Sequence, residues 1–289
     1  MARGHPPIVK RDITRRRLVG AGVVAVTAGL AGCSSATPYV GKRTEGEETV
    51  ALEDETALSV TTEPGAVSIV GEDRDDVHLE YVKKATAAMA DLSELVLDVR
   101  RDGGRLLLES CFEGDPPLFG DRPTIDLSVR VPRSLAVDHV ESSAGNIPVE
   151  NVAGDLTVET SVGDVTVRDV RGHVAVDVTT ADVVIEGVDA VGDVTASTGD
   201  LDLSVPAIDG DTAFSASTGS IVLGLAPDLS ADLAASASTG EVTVDDLPLE
   251  DSRREESQVT GELNGGGPDL SVTTTAGDIS VSRLDETGG

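Results

Sequence analysis

The residue with the best-defined chemistry in this chain is Cys33, a thiol that directly follows Leu30-Ala31-Gly32. An apolar run, Leu18 to Ala31, precedes it, and the three arginines Arg15-Arg16-Arg17 precede that run. Basic, short apolar and small-residue segments in this order are typical of a signal peptide. The run has 14 residues, whereas a membrane-spanning helix needs about 20. We therefore expect residues 1–32 to be removed and Cys33 to become the first residue.

The same residues resemble two known export signals. Leu30, Ala31 and Gly32 before Cys33 resemble the lipobox of lipoproteins, and Arg15-Arg16 resembles a twin-arginine (Tat) signal. These resemblances imply export in the folded state and a membrane-anchored protein on the extracellular face of the cytoplasmic membrane, held by lipid on Cys33. Two alternatives stay open. The apolar run could be an uncleaved anchor, and export could use the Sec route, because position 18 is Leu where the twin-arginine pattern often has Phe.

The charge of the chain is strongly negative. It has 52 acidic and 22 basic residues, and without residues 1–32 it would carry 51 and 16. Only four lysines occur: Lys10, Lys42, Lys83 and Lys84. Repulsion among so many negative charges destabilises a compact fold unless salt screens it. The composition resembles that of halophilic proteins of haloarchaeal type, and it argues against nucleic acid as a partner.

Few residues have the spacing that catalysis or metal binding needs. The histidines His78, His139 and His173 are scattered, without the close spacing of metal ligands. Cys111 is the only cysteine besides Cys33, so no intrachain disulfide is expected, and its apolar neighbours predict a packed core residue. Tryptophan is absent and aromatic residues make up 2%, which argues against sites that stack sugars or bases. We expect no cofactor, no metal site and no enzymatic activity.

Short alternating strands are predicted from about residue 50. Residues 57–60, 66–70, 77–82, 95–99, 106–108 and 125–131 have this pattern. Asp102-Gly103-Gly104 predicts a hairpin turn, and residues 85–92 are the only weakly helical stretch. We predict a flexible tether at 33–49, capping strands at 50–131, repeats at 132–283 and a disordered tail at 284–289.

The repeats are seven segments of the form Ser/Thr-x-Gly-Asp-Ile/Val-x-Val. They begin at Glu141, Glu159, Asp177, Thr195, Ser215, Ser236 and Thr273, at intervals of 18, 18, 18, 20, 21 and 37 residues. A fixed period near 20 predicts a β-solenoid, in which each coil is too small to bury its own apolar face. Gly145, Gly154, Gly163 and Gly172 recur every nine residues and predict two strands per coil with a glycine at each corner. Residues 249–258 are predicted to form a surface loop.

Two polar columns accompany the repeats. The corner aspartates follow a glycine or, at Asp182, an alanine: Asp155, Asp164, Asp182, Asp193, Asp200, Asp211 and Asp278. Calcium needs 6–8 oxygens, more than one aspartate per corner supplies, so solvated acids are favoured and a calcium site is the alternative. The second column is predicted to be a ladder of hydrogen-bonded hydroxyls: Ser143, Ser161, Thr180, Thr198, Thr218 and Thr239.

The chain resembles the putative-adhesin β-helix family of bacterial and archaeal envelopes, a domain of unknown function. The likeness covers about residues 50–283 and includes Glu63-Pro64-Gly65 between two strands, Val129-Arg130-Val131-Pro132 and the repeats themselves. It implies an all-β, parallel β-helix of 18–21-residue coils, expected to be right-handed and to form a single domain.

The function that follows is non-catalytic binding at the cell surface, as an adhesin or an envelope scaffold. Its expected partners are the membrane, through Cys33, and a surface-layer protein or a membrane protein. A surface sensor that works with a membrane partner is the first alternative. A carbohydrate-active enzyme is the second, although the coils offer only Arg168 and Arg171 as basic partners for its carboxylates.

Overall fold

The computed structural model describes residues 16–17 (backbone only), 41–86, 90–114 and 122–284. These residues form 24 strands and one short 3₁₀ helix, Leu92–Glu94. The strands lie in two long sheets of 13 and 11 strands, which we call sheet A and sheet B. This confirms the predicted all-β solenoid. Within the described part of the chain, no helix is long and apolar enough to cross a membrane.

Sheet A contains, in spatial order, β1 (Arg16–Arg17), β6 (Leu95–Asp102), β7 (Arg105–Phe112), β3 (Ala57–Thr62), β9 (Ala136–Ser142), β11 (Leu156–Val162), β13 (His173–Thr180), β15 (Ala190–Thr198), β17 (Thr212–Thr218), β23 (Asp269–Ala276), β19 (Ala231–Thr239), β22 (Gln258–Leu263) and β21 (Leu249–Glu255). Sheet B contains β2 (Lys42–Ala51), β5 (Asp76–Ala85), β8 (Thr124–Pro132), β4 (Val67–Glu72), β10 (Ile147–Glu150), β12 (Val165–Arg168), β14 (Val183–Glu186), β16 (Leu201–Val205), β18 (Ile221–Leu225), β24 (Ile279–Arg283) and β20 (Val242–Val244).

Each coil contributes one strand to each sheet, and equivalent strands pair in parallel. In the coil of β11 and β12, Val158 pairs with Val176 of the next coil in sheet A, and Val167 pairs with Ile185 in sheet B. Alternate side chains point inward, so the two sheets enclose one continuous column of buried Val, Ile and Leu. A single coil could not bury this surface, and the stack therefore depends on its neighbours.

The corner glycines are required by close packing between coils. Gly199 has φ 139°, and a Cβ atom there would lie 1.8 Å from the carbonyl oxygen of Ala181 in the preceding coil. Gly163 has φ 124°, and its Cβ would lie 2.5 Å from the backbone of Gly145. The predicted glycine corners are thus confirmed. Glycine permits both the positive φ and the close contact with the neighbouring coil.

The coils do not stack in the order of the sequence at the C-terminal end. In sheet A, β23 lies between β17 and β19, and in sheet B, β24 lies between β18 and β20. The last repeat is therefore inserted between the fifth and the sixth. The side-chain amide of Asn264 donates to the carbonyls of Pro227 and Leu229 at 3.1 and 2.7 Å. These bonds join the turn before β23 to the loop between β18 and β19, which crosses the position that the last repeat occupies.

The sequence predicted a surface loop at residues 249–258, but these residues form most of a β-hairpin. β21 and β22 pair with each other, and β22 pairs in antiparallel fashion with β19. The residues of β21 are mostly charged and exposed, which discourages further strand addition at this edge of sheet A.

Two predicted boundaries are also wrong. Residues 42–49 belong to β2, which pairs along its whole length with β5, because the edge of β5 offers unpaired backbone groups to the preceding chain. Leu284 is not part of a tail, since its backbone N–H donates to the carbonyl of Leu225 at 2.8 Å. Residues 33–40 and 285–289 lie outside the described residues. The predicted strands between 57 and 131 and the hairpin turn at Gly103-Gly104 are present.

Candidate functional site

The predicted export and lipidation residues lie outside the described part of the chain. This applies to Arg15, Leu30, Ala31, Gly32 and Cys33. Arg16 is described only in its backbone, as half of the two-residue strand β1 beside Val99 and Asp98. The lipid anchor and the export route therefore stay predictions.

The corner aspartates hydrogen-bond one coil to the next. In sheet B, the Oδ1 of Asp182 accepts the backbone N–H of Asp200 at 2.9 Å, and the Oδ1 of Asp200 accepts the N–H of Ser220 at 2.7 Å. The remaining corner aspartates make the same kind of bond: Asp155, Asp164, Asp193, Asp211 and Asp278. We call this set the aspartate ladder. The carboxylate oxygens of the ladder accept hydrogen bonds from backbone N–H groups, and the sequence did not indicate this role.

The aspartate ladder places like charges on neighbouring coils. Asp164, Asp182 and Asp200 are exposed and occupy equivalent positions on strands that are about 4.8 Å apart. At that spacing in water, two unit charges repel by about 1 kcal/mol. Among the described residues, no group of three His, Cys, Asp or Glu side chains is arranged to hold a metal ion. Dissolved salt screens repulsion between exposed charges of this kind.

The predicted hydroxyl ladder is wrong in its membership and its hydrogen bonds. Thr180, Thr198 and Thr218 are in register, but the pairs continue through Ala276 before Thr239. Ser143 and Ser161 lie one position earlier in their repeats. Within this set the described residues form no hydroxyl–hydroxyl bond; the one such bond nearby joins Thr273 and Ser215 at 3.4 Å. The prediction mixed two neighbouring positions of the repeat, the third and the fourth, because both are Ser or Thr in most repeats.

The hydroxyls instead form part of an uncharged surface on sheet A. Across the strands, one outward-facing row runs Glu141, Glu159, Asp177, Thr195, Ser215, Thr273, Ser236. It changes from three acids to four hydroxyls between β13 and β15. The outward side chains of β15, β17, β23 and β19 continue this composition at the strand ends, and we call them together the hydroxyl face: Thr195, Ser197, Thr198, Ser215, Ser217, Thr218, Thr273, Thr275, Ala276, Ser236, Ser238 and Thr239.

The hydroxyl face has no charged side chain of its own on a chain of net charge −30, and the exposed Asp193, Asp232 and Asp269 lie near the opposite ends of the same strands. The inserted strand β23 completes it, because Thr273 pairs with Ser215 on one side and Ser236 on the other. Hydroxyl groups both donate and accept hydrogen bonds, and small side chains let a partner surface approach the backbone closely. The face can therefore make a neutral, hydrogen-bonded contact.

The histidines lie in separate strands. His78 contacts Thr49 at 3.1 Å and Glu80 at 3.3 Å, and His139 lies 3.7 Å from Glu141. Glu80 also accepts hydrogen bonds from Arg130, and this contact lowers the pKa of the Glu80 carboxyl. The Arg130–Glu80 contact joins β8 to β5, the His78–Thr49 contact joins β5 to β2, and the His139–Glu141 contact lies within β9.

Cys111 is not in the core, contrary to the sequence prediction. Leu106, Leu108 and Ser110 point inward, so Cys111 faces outward and is half-buried. Burial raises the pKa of its thiol, and the charge of Asp98 raises it further. A raised pKa makes the thiol a poor nucleophile.

Two long sheets of stacked, paired strands define the class of all-β solenoid repeat proteins. A sequence profile described as Toastrack DUF4097 matches residues 125–282. The chain belongs to this family, which agrees with the resemblance noted from the repeats.

Several solved structures are similar to this chain at low sequence identity. A putative cell adhesion protein from Clostridium sporogenes is 10% identical, with 84% of this chain and 100% of that one covered and a TM-score of 0.36. A putative lipid binding protein from Parabacteroides distasonis is 12% identical, with 83% and 97% covered and a TM-score of 0.44. A putative adhesin from Bacteroides fragilis is 12% identical, with the same coverage and a TM-score of 0.39. No curated protein matches the sequence.

Proposed function

We propose that this protein is a non-catalytic, lipid-anchored protein of the cell surface that acts as an adhesin or envelope scaffold. In this proposal Cys33 carries the lipid, the acidic surface is adapted to high salt, and the hydroxyl face makes the contact. The observation that supports it most is the change from three acids to four hydroxyls along one row of sheet A.

The partner we propose for the hydroxyl face is the same face on a second copy of the chain. Two copies without residues 1–32, each with 51 acidic and 16 basic residues, repel each other at most orientations. The repulsion is smallest where both surfaces are neutral. Because each hydroxyl is both donor and acceptor, two such faces are complementary to each other without any opposite charge.

The size of the face suits a weak contact that many copies share. Four strands about 4.8 Å apart, with side chains about 7 Å apart along each strand, give roughly 200 Å². A stable interface buries about 800 Å² per partner. Copies tethered to facing membranes would bind through avidity, and copies on one membrane would form a scaffold.

Bead aggregation tests the proposed contact. Beads coated with the full chain through an N-terminal tag should aggregate in about 2 M NaCl, where long-range repulsion is screened. Ser217→Asp/Thr273→Asp places charges within the hydroxyl face and should abolish aggregation. Thr166→Asp/Val222→Asp adds the same charge on the outer side of sheet B and should leave aggregation unchanged.

Two results would contradict this function. Wild-type beads that stay dispersed, or face and control variants that aggregate equally, would exclude self-contact through the hydroxyl face. Separately, Cys33→Ser should release the protein from cell membranes into the medium. Retention of that variant in the membrane fraction would indicate an uncleaved anchor instead of lipid.

A further inference from the structure

A cavity of about 460 Å³ lies where strands of sheet B end, on the opposite part of the solenoid from the hydroxyl face. Its lining is Arg133, Asn151, Asp169, Arg171 and Gly187. Volumes of about 300–1,000 Å³ are typical of small-molecule sites. We propose that this cavity binds an acidic sugar unit, with its carboxylate or sulfate held between Arg133 and Arg171.

The floor of the cavity is a column of left-handed corners from three successive coils. Asn151, Asp169 and Gly187 have φ values of 57°, 54° and 65°. The backbone N–H of Asn151 donates to Arg168 and that of Asp169 to Glu186, both at 3.1 Å. These bonds hold the corners in register, so the side chains of Asn151 and Asp169 are presented from a rigid backbone. A side chain at Gly187 would collide with the carboxylate of Asp169, since a Cβ there would lie 2.7 Å from its Oδ1.

Among the described residues, the two arginines of the cavity have no carboxylate within ion-pair distance, and they lie together in one concavity. Arg130 pairs with Glu80 and Arg168 pairs with Glu186. Arg171 instead donates to the backbone carbonyl of Arg133 at 2.7 Å, which fixes its guanidinium beside Arg133 and leaves its other N–H groups available. In a chain with 52 acidic residues, a concavity with two arginines that pair with no described carboxylate is a local exception.

The mixed lining determines the class of ligand. A guanidinium offers only donors, in a planar fork that matches a carboxylate or a sulfate. Asp169 and Asn151 offer acceptors, which a bare anion cannot use but sugar hydroxyls can. A sugar that carries one acidic group would satisfy both halves of the lining, whereas a neutral sugar would leave the arginines without a partner.

Binding of charged polymers to the full chain tests the site. Immobilised polygalacturonate, dextran sulfate and unsubstituted dextran are compared in about 2 M NaCl, which suppresses nonspecific electrostatics. The expected result is binding to either or both acidic polymers and none to dextran. Arg133→Gln/Arg171→Gln should lower affinity at least about tenfold, because two charge-assisted hydrogen-bonding groups are lost.

The matched control is Arg253→Gln/Arg283→Gln, which makes the same change of charge at the other end of the solenoid and should keep wild-type affinity. Circular dichroism melts check that both double variants fold. Equal affinity of the two double variants, or no binding of the wild type to either acidic polymer, would overturn the proposal. Full competition by sodium sulfate at an equal concentration of charged groups would overturn the sugar assignment, because the ligand would then be a bare anion. None of these results depends on bead aggregation through the hydroxyl face.

Discussion

The coils between residues 136 and 225 stack in the order of the chain, whereas those between 229 and 283 do not. We call the first set the regular coils and the second the terminal coils. In the regular coils each residue pairs with one 17–20 residues later, as in the pairs Val174–Val191 and Ala196–Ala216. In the terminal coils, Thr274 pairs on one side with Ala216, 58 residues earlier, and on the other side with Ala237. The same repeat therefore permits two stacking orders, and the repeat pattern alone does not distinguish them.

The largest difference between the two regions should appear on deletion. Removal of residues 164–181 takes out one regular coil, and the chain can rejoin because equivalent corners superimpose. Removal of residues 268–289 instead leaves an empty slot between β17 and β19. It also deletes the buried Leu270, Val272, Ile279 and Val281, which contribute about 1.5–3 kcal/mol each.

We expect the coil deletion to melt cooperatively and the truncation to lose protease protection over residues 231–263. A circular dichroism melt measures the first outcome, and limited proteolysis with mass spectrometry measures the second. If the truncated chain stays protected there, the inserted coil is not needed to hold the terminal coils.

Substitutions at corner glycines test whether the coils of both regions pack equally closely at their corners. Gly199→Ala and Gly277→Ala each place a Cβ within 2.0 Å of a carbonyl oxygen in the neighbouring coil. Each should lower the free energy of unfolding by about 2 kcal/mol or more, from strain and collision together. Gly210 also has a positive φ, 100°, but its Cβ would meet nothing within 4 Å, so Gly210→Ala is the control for φ alone. Denaturant titration should rank Gly210→Ala as the mildest; equal losses would remove close packing as the cause.

The aspartate ladder runs through both regions and should have a smaller effect. Asp200→Ala removes the acceptor for Ser220, and Asp278→Ala removes the acceptor for Glu241, bonds of 2.7 and 2.9 Å. Each should lower the free energy of unfolding by about 1 kcal/mol at high salt, where repulsion between the ladder charges is screened, as measured by denaturant titration.

Charge in the ladder can be separated from its hydrogen bonds. Asp182→Asn keeps an acceptor but removes the charge between Asp164 and Asp200, so it should stabilise the fold at low salt and have little effect at high salt. Thermal melts across a salt series measure this. A wild type whose melting temperature does not depend on salt would contradict the halophilic interpretation.

The smallest expected effect is a pH effect in the capping strands. The hydrogen bond from Arg130 lowers the pKa of Glu80 in the folded state. This contact therefore stabilises the fold above the ordinary glutamate pKa and is lost as the pH falls through the lowered value. Glu80→Gln should flatten the acid side of the stability curve slightly, because the pair is only half-buried and water screens it. An unchanged acid side would assign the pH dependence to other carboxylates.

The coil length, the corners and the core column could be predicted from the sequence because each depends on local spacing. Val165 and Val167 are buried, as their alternation with Asp164 and Thr166 predicted. Local alternation failed at Cys111, because the unbroken run Leu106-Leu107-Leu108 does not indicate which face is inward. It also failed at residues 249–258, whose charges suggested a loop, whereas the exposed edge of β19 made them part of a hairpin.

The sequence by itself determined that this chain forms two-strand coils with glycine corners, since the repeat spacing imposes the turns and the alternation imposes the buried side. Only the tertiary structure decided which coil lies beside which, because every coil presents the same backbone edge and a similar apolar interior to its neighbours. That choice inserts β23 between β17 and β19 and so completes the hydroxyl face. It was likewise the stacking of three corners that brought Arg133 and Arg171, 38 residues apart, to one cavity.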